Sequence, residues 1–153
     1  MNYRDKLTTH IEFSDSRKEV VLADKGHSDI RYVAHNPAGR TVCVFRVDGG
    51  LICDNEPKCD RLMVAESKHS VQHPDFYFVE LKGKDFETAI RQLTRSVDLL
   101  ICRIDYHSVH CRLVMSKCPT PDIGSSNRIK LERKLKSMNG NFKRQSRQLE
   151  ETI

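Results

Sequence analysis

Three charged side chains in the middle of the chain have the types and spacing that a hydrolytic metal site needs. Glu80 and Lys82 are two residues apart in a stretch with the pattern of a β-strand. Their side chains are therefore expected on the same face, roughly 7 Å apart along the strand. Asp60 stands at the start of the preceding predicted strand. If the two strands pair antiparallel, Asp60 and Glu80 meet at one edge of the sheet.

Two neighbouring carboxylates without a counter-charge are unfavourable, and a divalent cation resolves this. Carboxylate oxygens select hard cations, so Mg²⁺ is the expected cofactor, with Mn²⁺ as a substitute. Such an ion lowers the pKa of bound water and stabilises charge on a phosphoryl group. Lys82 could hold the attacking water or neutralise the phosphate. The alternative interpretation is an ordinary pair of Glu80 and Lys82 on an edge strand, with Asp60 in a turn.

Strand and helix patterns alternate around these residues. A helix is predicted over residues 86–100, with Asp85 as N-cap, because apolar residues recur at steps of three and four. Residues 66–75 are polar and are expected to form a loop. This order indicates a layered α/β or α+β domain. Strands are predicted at 30–35, 41–47, 51–53, 59–65, 76–82 and 109–115.

The C-terminal segment is the most basic part of the chain. Residues 127–153 carry eight Lys or Arg and three Glu, a net charge of +5, whereas residues 1–126 are neutral. A helix capped by Ser125 or Ser126 is predicted, then a C-cap at 139–141 and a short helix or frayed tail over 142–152. The residues expected to face inward are Ile129, Leu131, Leu135 and Met138. Such a segment suits a polyanionic partner, although a solvated helix face explains the same charges.

The combination of Asp60, then Glu80-x-Lys82, then a helix resembles the PD-(D/E)XK nuclease superfamily. This superfamily includes restriction endonucleases, archaeal Holliday-junction resolvases and RecB-type nucleases. The resemblance covers about residues 41–117, and its closest stretch is Phe78-Val79-Glu80-Leu81-Lys82-Gly83. It implies an α/β fold with a restriction-endonuclease-like mixed central sheet flanked by helices, followed here by a basic helical C-terminal tail.

The resemblance also implies roles for individual residues. Asp60, Glu80 and the backbone carbonyl of Leu81 would hold the metal. Lys82 would be the catalytic lysine, and Gln92 on the following helix would support the site. The implied activity is Mg²⁺-dependent hydrolysis of phosphodiester bonds, with DNA favoured over RNA as the substrate. The residues expected to bind nucleic acid are Lys84, Arg128, Lys130, Arg133, Lys134 and Lys136.

Two features depart from the family pattern. Cys59 occupies the position of the proline that precedes the Asp in the literal motif. Many members also carry a Glu on an N-terminal helix, for which Glu12 and Glu19 are the candidates. The number of metal ions, one or two, therefore stays open.

Asp48 is a further candidate ligand, although an Asp-Gly turn is the favoured explanation. A second function also stays open, namely a catalytically silent module that binds nucleic acid or a protein partner.

Composition limits the remaining possibilities. With 153 residues and 38% hydrophobic residues, the chain is expected to form one domain over 1–122, with its core at about 30–117. Residues 123–153 would be a basic helical extension. No stretch approaches the roughly 20 apolar residues of a membrane span, and the N-terminus lacks an apolar signal region. A cytoplasmic protein is expected, with a homodimer or a targeting partner as options.

The six cysteines are expected to be reduced thiols. The interpretation favoured is that those in apolar runs pack as small core residues, namely Cys43, Cys53, Cys102 and Cys111. A zinc-stabilised interaction module is the alternative, although the cysteines lack the usual paired spacing. Its ligands would come from Cys53, Cys59, His107, His110 and Cys111.

Overall fold

The chain forms three layers, a small β-sheet, a large β-sheet and a helical layer. The structure, a computed structural model, describes residues 1–67, 70–81, 85–117 and 125–153, and only the backbone of Val71. In chain order the elements are α1 (Tyr3–Lys6), β1 (Ile11–Asp15), β2 (Glu19–Ala23), β3 (Arg31–His35), β4 (Val42–Arg46), β5 (Arg61–Ser67), β6 (Ser70–Leu81), α2 (Phe86–Ile101), β7 (Ser108–Met115), α3 (Ser126–Ser137), β8 (Phe142–Ser146) and β9 (Gln148–Thr152).

The large sheet is mixed and has the order β1-β4-β5-β6-β7-β8. In this sheet the pairs β1–β4, β4–β5 and β5–β6 are antiparallel, and the pairs β6–β7 and β7–β8 are parallel. Helix α2 connects β6 to β7, because parallel neighbours need a crossover connection. The small sheet has the order β2-β3-β9, with β9 parallel to β3. The fold is therefore mixed α/β with a mostly β core.

From Phe76 to Leu81, strand β6 is buried on both faces, which explains the apolar sequence of this half of the strand. Phe76 and Phe78 pack in a core shared with α2 and α3. Tyr77 and Val79 pack in a second core between the two sheets. The end of this strand, including Glu80, is therefore held on a rigid element in the middle of the large sheet.

The prediction of α2 is confirmed. The side chain of Asp85 caps the helix by accepting a hydrogen bond from the amide of Glu87, at 3.1 Å. Ser125 caps α3, and Leu131 and Leu135 are buried as predicted. Ile129 is exposed, contrary to prediction, because two residues along a helix rotate a side chain by about 200° from Leu131.

The predicted loop over residues 66–75 is wrong, since β5 continues to Ser67 and β6 begins at Ser70. The polar residues of this hairpin bind distant partners. The side chain of Glu66 accepts hydrogen bonds from Tyr3 and Arg4, and Asp75 forms an ion pair with Arg40. These long-range contacts let polar side chains occupy strands.

Residues 51–53 form no return strand. Gly49 has a φ of +68°, and the amides of Leu51 and Ile52 donate to the carbonyls of Arg46 and Val47. A Cβ on Gly50 would lie 2.2 Å from the Arg46 carbonyl oxygen, so the turn requires glycine there. The segment is a tight turn that starts with Asp48, as the Asp-Gly signal indicates.

The C-terminal segment is helical only over Ser126–Ser137, and the predicted helix or frayed tail over 142–152 is wrong. Strand β8 joins the large sheet beside β7, and β9 joins the small sheet beside β3. Arg147, with a φ of +63°, lies between the two strands. These residues pair with strands far away in the sequence, so local pattern alone did not predict them. Within the described ranges, no helix has the length and apolar character needed to cross a bilayer.

Candidate metal centre

Asp60 and Glu80 lie side by side at one edge of the large sheet. Arg61 of β5 pairs with Val79 of β6, and extending this register by one residue sets Asp60 opposite Glu80. The amide of Asp60 donates to the carbonyl of Val79 at 3.2 Å. The amide of Leu81 donates to Oδ2 of Asp60 at 2.8 Å. The antiparallel pairing thus brings together the two carboxylates that the sequence singled out.

Glu80 is a buried acid with an incomplete set of partners. The residue is only 4% exposed and lies on the α2 side of the sheet, as Phe78 does. Its Oε2 atom is buried and has no hydrogen-bond partner among the described residues. Burial raises the pKa of Glu80 well above its usual range, and a hydrogen bond and the negative charge of Asp60 act in the same direction. A buried oxygen without a partner is costly unless a ligand satisfies it.

A cleft of about 190 Å³ opens beside Asp60, and Glu80 is not among its lining residues. Asp60 and Leu81 line it on the large sheet, and Asp48 lines it from the tight turn. Asp24, which follows β2, lines the opposite wall, and its Oδ2 atom is buried without a partner in the described part of the chain. Three basic residues share this lining with the three acidic ones, and they are Lys25, Arg46 and Arg61.

Helix α2 holds the backbone immediately before Asp60 at two points. The side-chain amide of Gln92 donates to the carbonyl of Lys58 at 3.1 Å. The amide of Cys59 donates to the hydroxyl of Ser96 at 2.9 Å, and this hydroxyl donates to the Gln92 carbonyl. Gln92 therefore acts on the backbone that carries Asp60. Sequence reasoning missed Ser96, whose only signal is a polar residue within an apolar helix face.

The structure separates the predicted basic residues into different environments. Lys82 and Lys84 lie outside the described residues. The Arg128 side chain is only 21% exposed, and Lys134 forms an ion pair with Asp98. The three exposed basic residues on α3 are Lys130, Arg133 and Lys136.

Neither candidate for a glutamate on an N-terminal helix lies on a helix. Glu12 is in β1 and forms an ion pair with Arg61 at 2.9 Å, and Glu19 is in β2. Asp48 is largely exposed and lies 3.8 Å from the ammonium of Lys58.

The five cysteines that the structure describes are free thiols and divide between core and surface, and Cys118 lies outside the described residues. Cys43, Cys59 and Cys111 are buried, whereas Cys53 and Cys102 are exposed, contrary to the expectation that they pack in the core. Within residues 1–67, 70–81, 85–117 and 125–153, no three His, Cys, Asp or Glu side chains are placed to share a metal ion. The described residues thus assemble neither the zinc set nor a metal site with three side-chain ligands. What they bring together is the pair of Asp60 and Glu80.

Comparison with protein-family models, curated proteins and solved structures finds no match. The functional argument for this chain therefore rests on its own residues and their geometry.

Proposed function

We propose that this chain is a Mg²⁺-dependent nuclease that hydrolyses phosphodiester bonds, with DNA as the favoured substrate. The observation that carries the proposal is the convergence of Asp60 and buried Glu80, whose Oε2 has no partner among the described residues. Their places before β5 and at the end of β6, with α2 following, support the resemblance to the PD-(D/E)XK superfamily.

The donor set fits the expected cation. Mg²⁺ is commonly held by one or two carboxylates and completes its shell with waters and substrate phosphate oxygens. Asp60 and Glu80 supply two adjacent carboxylates. Asp60 lines the cleft together with Leu81, whose carbonyl is the third expected ligand, and Glu80 is buried behind them. A bound cation would also give the unpartnered Oε2 of Glu80 a partner.

Each residue of the proposed site has a separate part in the reaction. The Leu81 amide orients the Asp60 carboxylate, and Ser96 and Gln92 fix the backbone in front of it. Glu80, on the rigid central strand, presents the second carboxylate. The metal would supply water activation and stabilisation of charge on the phosphoryl group. Lys82, which lies outside the described residues, is assigned from the sequence to assist the attacking water.

A cleavage assay tests this function. Wild type, Glu80→Gln and Lys82→Ala would be incubated with supercoiled plasmid, single-stranded DNA and structured RNA in Mg²⁺, Mn²⁺ or EDTA. Glu56→Gln is the matched control, since Glu56 is exposed. Metal-dependent cleavage that both site variants lose and the control keeps is the expected result. Nucleic-acid binding without cleavage, equal in wild type and variants, would instead support the catalytically silent module.

A further inference from the structure

A second cleft lies on the helical layer, away from the proposed metal ligands. It has a volume of about 330 Å³ between α2 and α3. Pro57, from the loop that leads to Asp60, closes one side. Arg91 lines it from α2 and Lys130 lines it from α3. Among the residues that the structure describes, none that lines this cleft is aromatic.

The charges in this cleft do not cancel. The guanidinium of Arg95 binds the carboxylate of Asp54 at 2.6 Å. The carboxylate of Asp98 is paired with Lys134. Arg91, by contrast, has no ion-pair partner among the described residues: it contacts the hydroxyl of Thr88 at 3.4 Å. The hydrogen bond from Thr88 and, to a lesser degree, the charge of Arg91 lower the pKa of Asp85.

Lys130 also contributes an uncompensated charge. In the described part of the chain, the ion pairs of α3 join Arg128 to Glu132 and Lys134 to Asp98, and none includes Lys130. Both Arg91 and Lys130 are exposed. The cleft therefore presents two positive charges from two different helices, neither of them held in an ion pair by the described residues, and its acidic lining residue Asp98 is already paired with Lys134.

The cleft is connected to the proposed metal centre through shared backbone. Pro57 is three residues before Asp60, and the carbonyl of Lys58 is held by Gln92, the neighbour of Arg91 on α2. Arg91 lies five residues after Phe86, the first residue of α2, which is about 8 Å along the helix axis. A nucleic-acid strand that passes the proposed metal centre can thus continue along this surface.

We infer that the cleft between α2 and α3 binds backbone phosphates of the nucleic-acid substrate through Arg91 and Lys130. This inference rests on the proposed function. A guanidinium can bind phosphate oxygens with two parallel hydrogen bonds, and an ammonium attracts them as a point charge. Without aromatic side chains to stack on bases, the cleft contacts the backbone and reads no sequence.

The test compares two pairs of substitutions with equal loss of charge. The cleft pair is Arg91→Ala with Lys130→Ala, and the control pair is Arg103→Ala with Lys18→Ala, two basic residues outside the proposed nucleic-acid-binding set. All four side chains are exposed, so both proteins should melt at the temperature of wild type. Binding of a labelled duplex oligonucleotide is measured by fluorescence anisotropy in EDTA over a series of salt concentrations.

Each phosphate contact contributes about 0.9 to the slope of log affinity against log salt for duplex DNA. The cleft pair should therefore lower the slope by about 2 and weaken binding to every sequence, whereas the control pair should change the slope by less than 1. Equal changes in both pairs, or an unchanged slope in the cleft pair, would overturn the inference.

Because EDTA removes the metal, this measurement is independent of hydrolysis. Failure of the proposed function would appear differently, as intact binding without metal-dependent cleavage by wild type. Stabilisation by Mn²⁺ should be the same in the cleft pair as in wild type, which shows that the metal centre is unaffected.

Discussion

The amide of Leu81 donates a 2.8 Å hydrogen bond to Oδ2 of Asp60, so the last residue of β6 fixes the side chain that precedes β5. The residue before it, Glu80, presents the second carboxylate from the same strand. One strand end therefore orients one acid and supplies the other. In the proposed site, this arrangement would pre-organise the two carboxyl groups for a cation, and without a cation it leaves them crowded together.

Replacing Glu80 should stabilise the metal-free protein. The pKa of Glu80 is higher in the folded state than in the unfolded state, because the folded state holds the proton more strongly. The free energy of unfolding therefore falls as pH rises from the unfolded-state pKa toward the folded-state pKa. Glu80→Gln removes this cost and should raise the free energy of unfolding by about 1 kcal/mol at pH 7. The gain should disappear near pH 4.

Thermal denaturation in EDTA at the two pH values measures this effect, with Glu56→Gln as control. A Glu80→Gln protein that is less stable than wild type at pH 7 would contradict the assigned environment of Glu80. Stabilisation by Mn²⁺ should be lost in Glu80→Gln and retained in the control.

Ser96 should matter for both stability and metal binding. Its hydroxyl is the acceptor for the buried amide of Cys59, and an unsatisfied buried donor costs about 1–3 kcal/mol. Ser96→Ala should lower the free energy of unfolding by this amount. It should also weaken Mn²⁺ binding, because Cys59, whose amide Ser96 holds, directly precedes Asp60. Thr94→Val is the control, since the Thr94 hydroxyl donates only to the Ile90 carbonyl within α2. Equal Mn²⁺ affinity in wild type and Ser96→Ala would show that Ser96 has no positioning role.

The two sheets are joined by a buried ion pair. Arg112 of β7 and Glu151 of β9 are 2.7 Å apart, with side chains 3% and 10% exposed, and Tyr32 also donates to Glu151. Removing one member of a buried pair leaves an uncompensated charge and costs about 3–5 kcal/mol. Glu151→Gln should therefore be strongly destabilising, whereas Glu150→Gln, at an exposed position, should cost less than about 1 kcal/mol.

The destabilisation by Glu151→Gln should depend on pH. Burial alone would raise the pKa of Glu151, but the hydrogen bonds and charge of Arg112 and the bond from Tyr32 lower it. A lowered pKa stabilises the fold above the unfolded pKa, and this stability is lost as pH falls through the folded pKa. The difference in melting temperature from wild type should thus be large at pH 7 and small near pH 3. A constant difference would contradict a charged Glu151 in the fold.

The sequence predicted the elements that are encoded by the pattern of apolar and polar residues within their own segment. The aromatic and apolar run before Glu80 and the apolar spacing of α2 each follow from burial on a defined face. The adjacency of Asp60 and Glu80 followed from strand alternation and one antiparallel pairing.

What the sequence did not predict depends on distant partners. Strand β9 is polar and gains its place through Glu151 and Arg112, 39 residues apart. Asp75 sits in a strand because Arg40, 35 residues away, neutralises it. Ser96 was missed because its role depends on Cys59, 37 residues earlier in the chain. None of these partners is visible in a local pattern.

The central claim is that Asp60 and Glu80 together hold a divalent cation. Its most direct test is a calorimetric titration of Mn²⁺ into wild type, Asp60→Asn, Glu80→Gln and the control Glu56→Gln, without nucleic acid. Mn²⁺ should bind saturably to wild type and to Glu56→Gln, and this binding should be lost in Asp60→Asn and Glu80→Gln. Equal binding by all four proteins, or no binding by wild type, would contradict the claim.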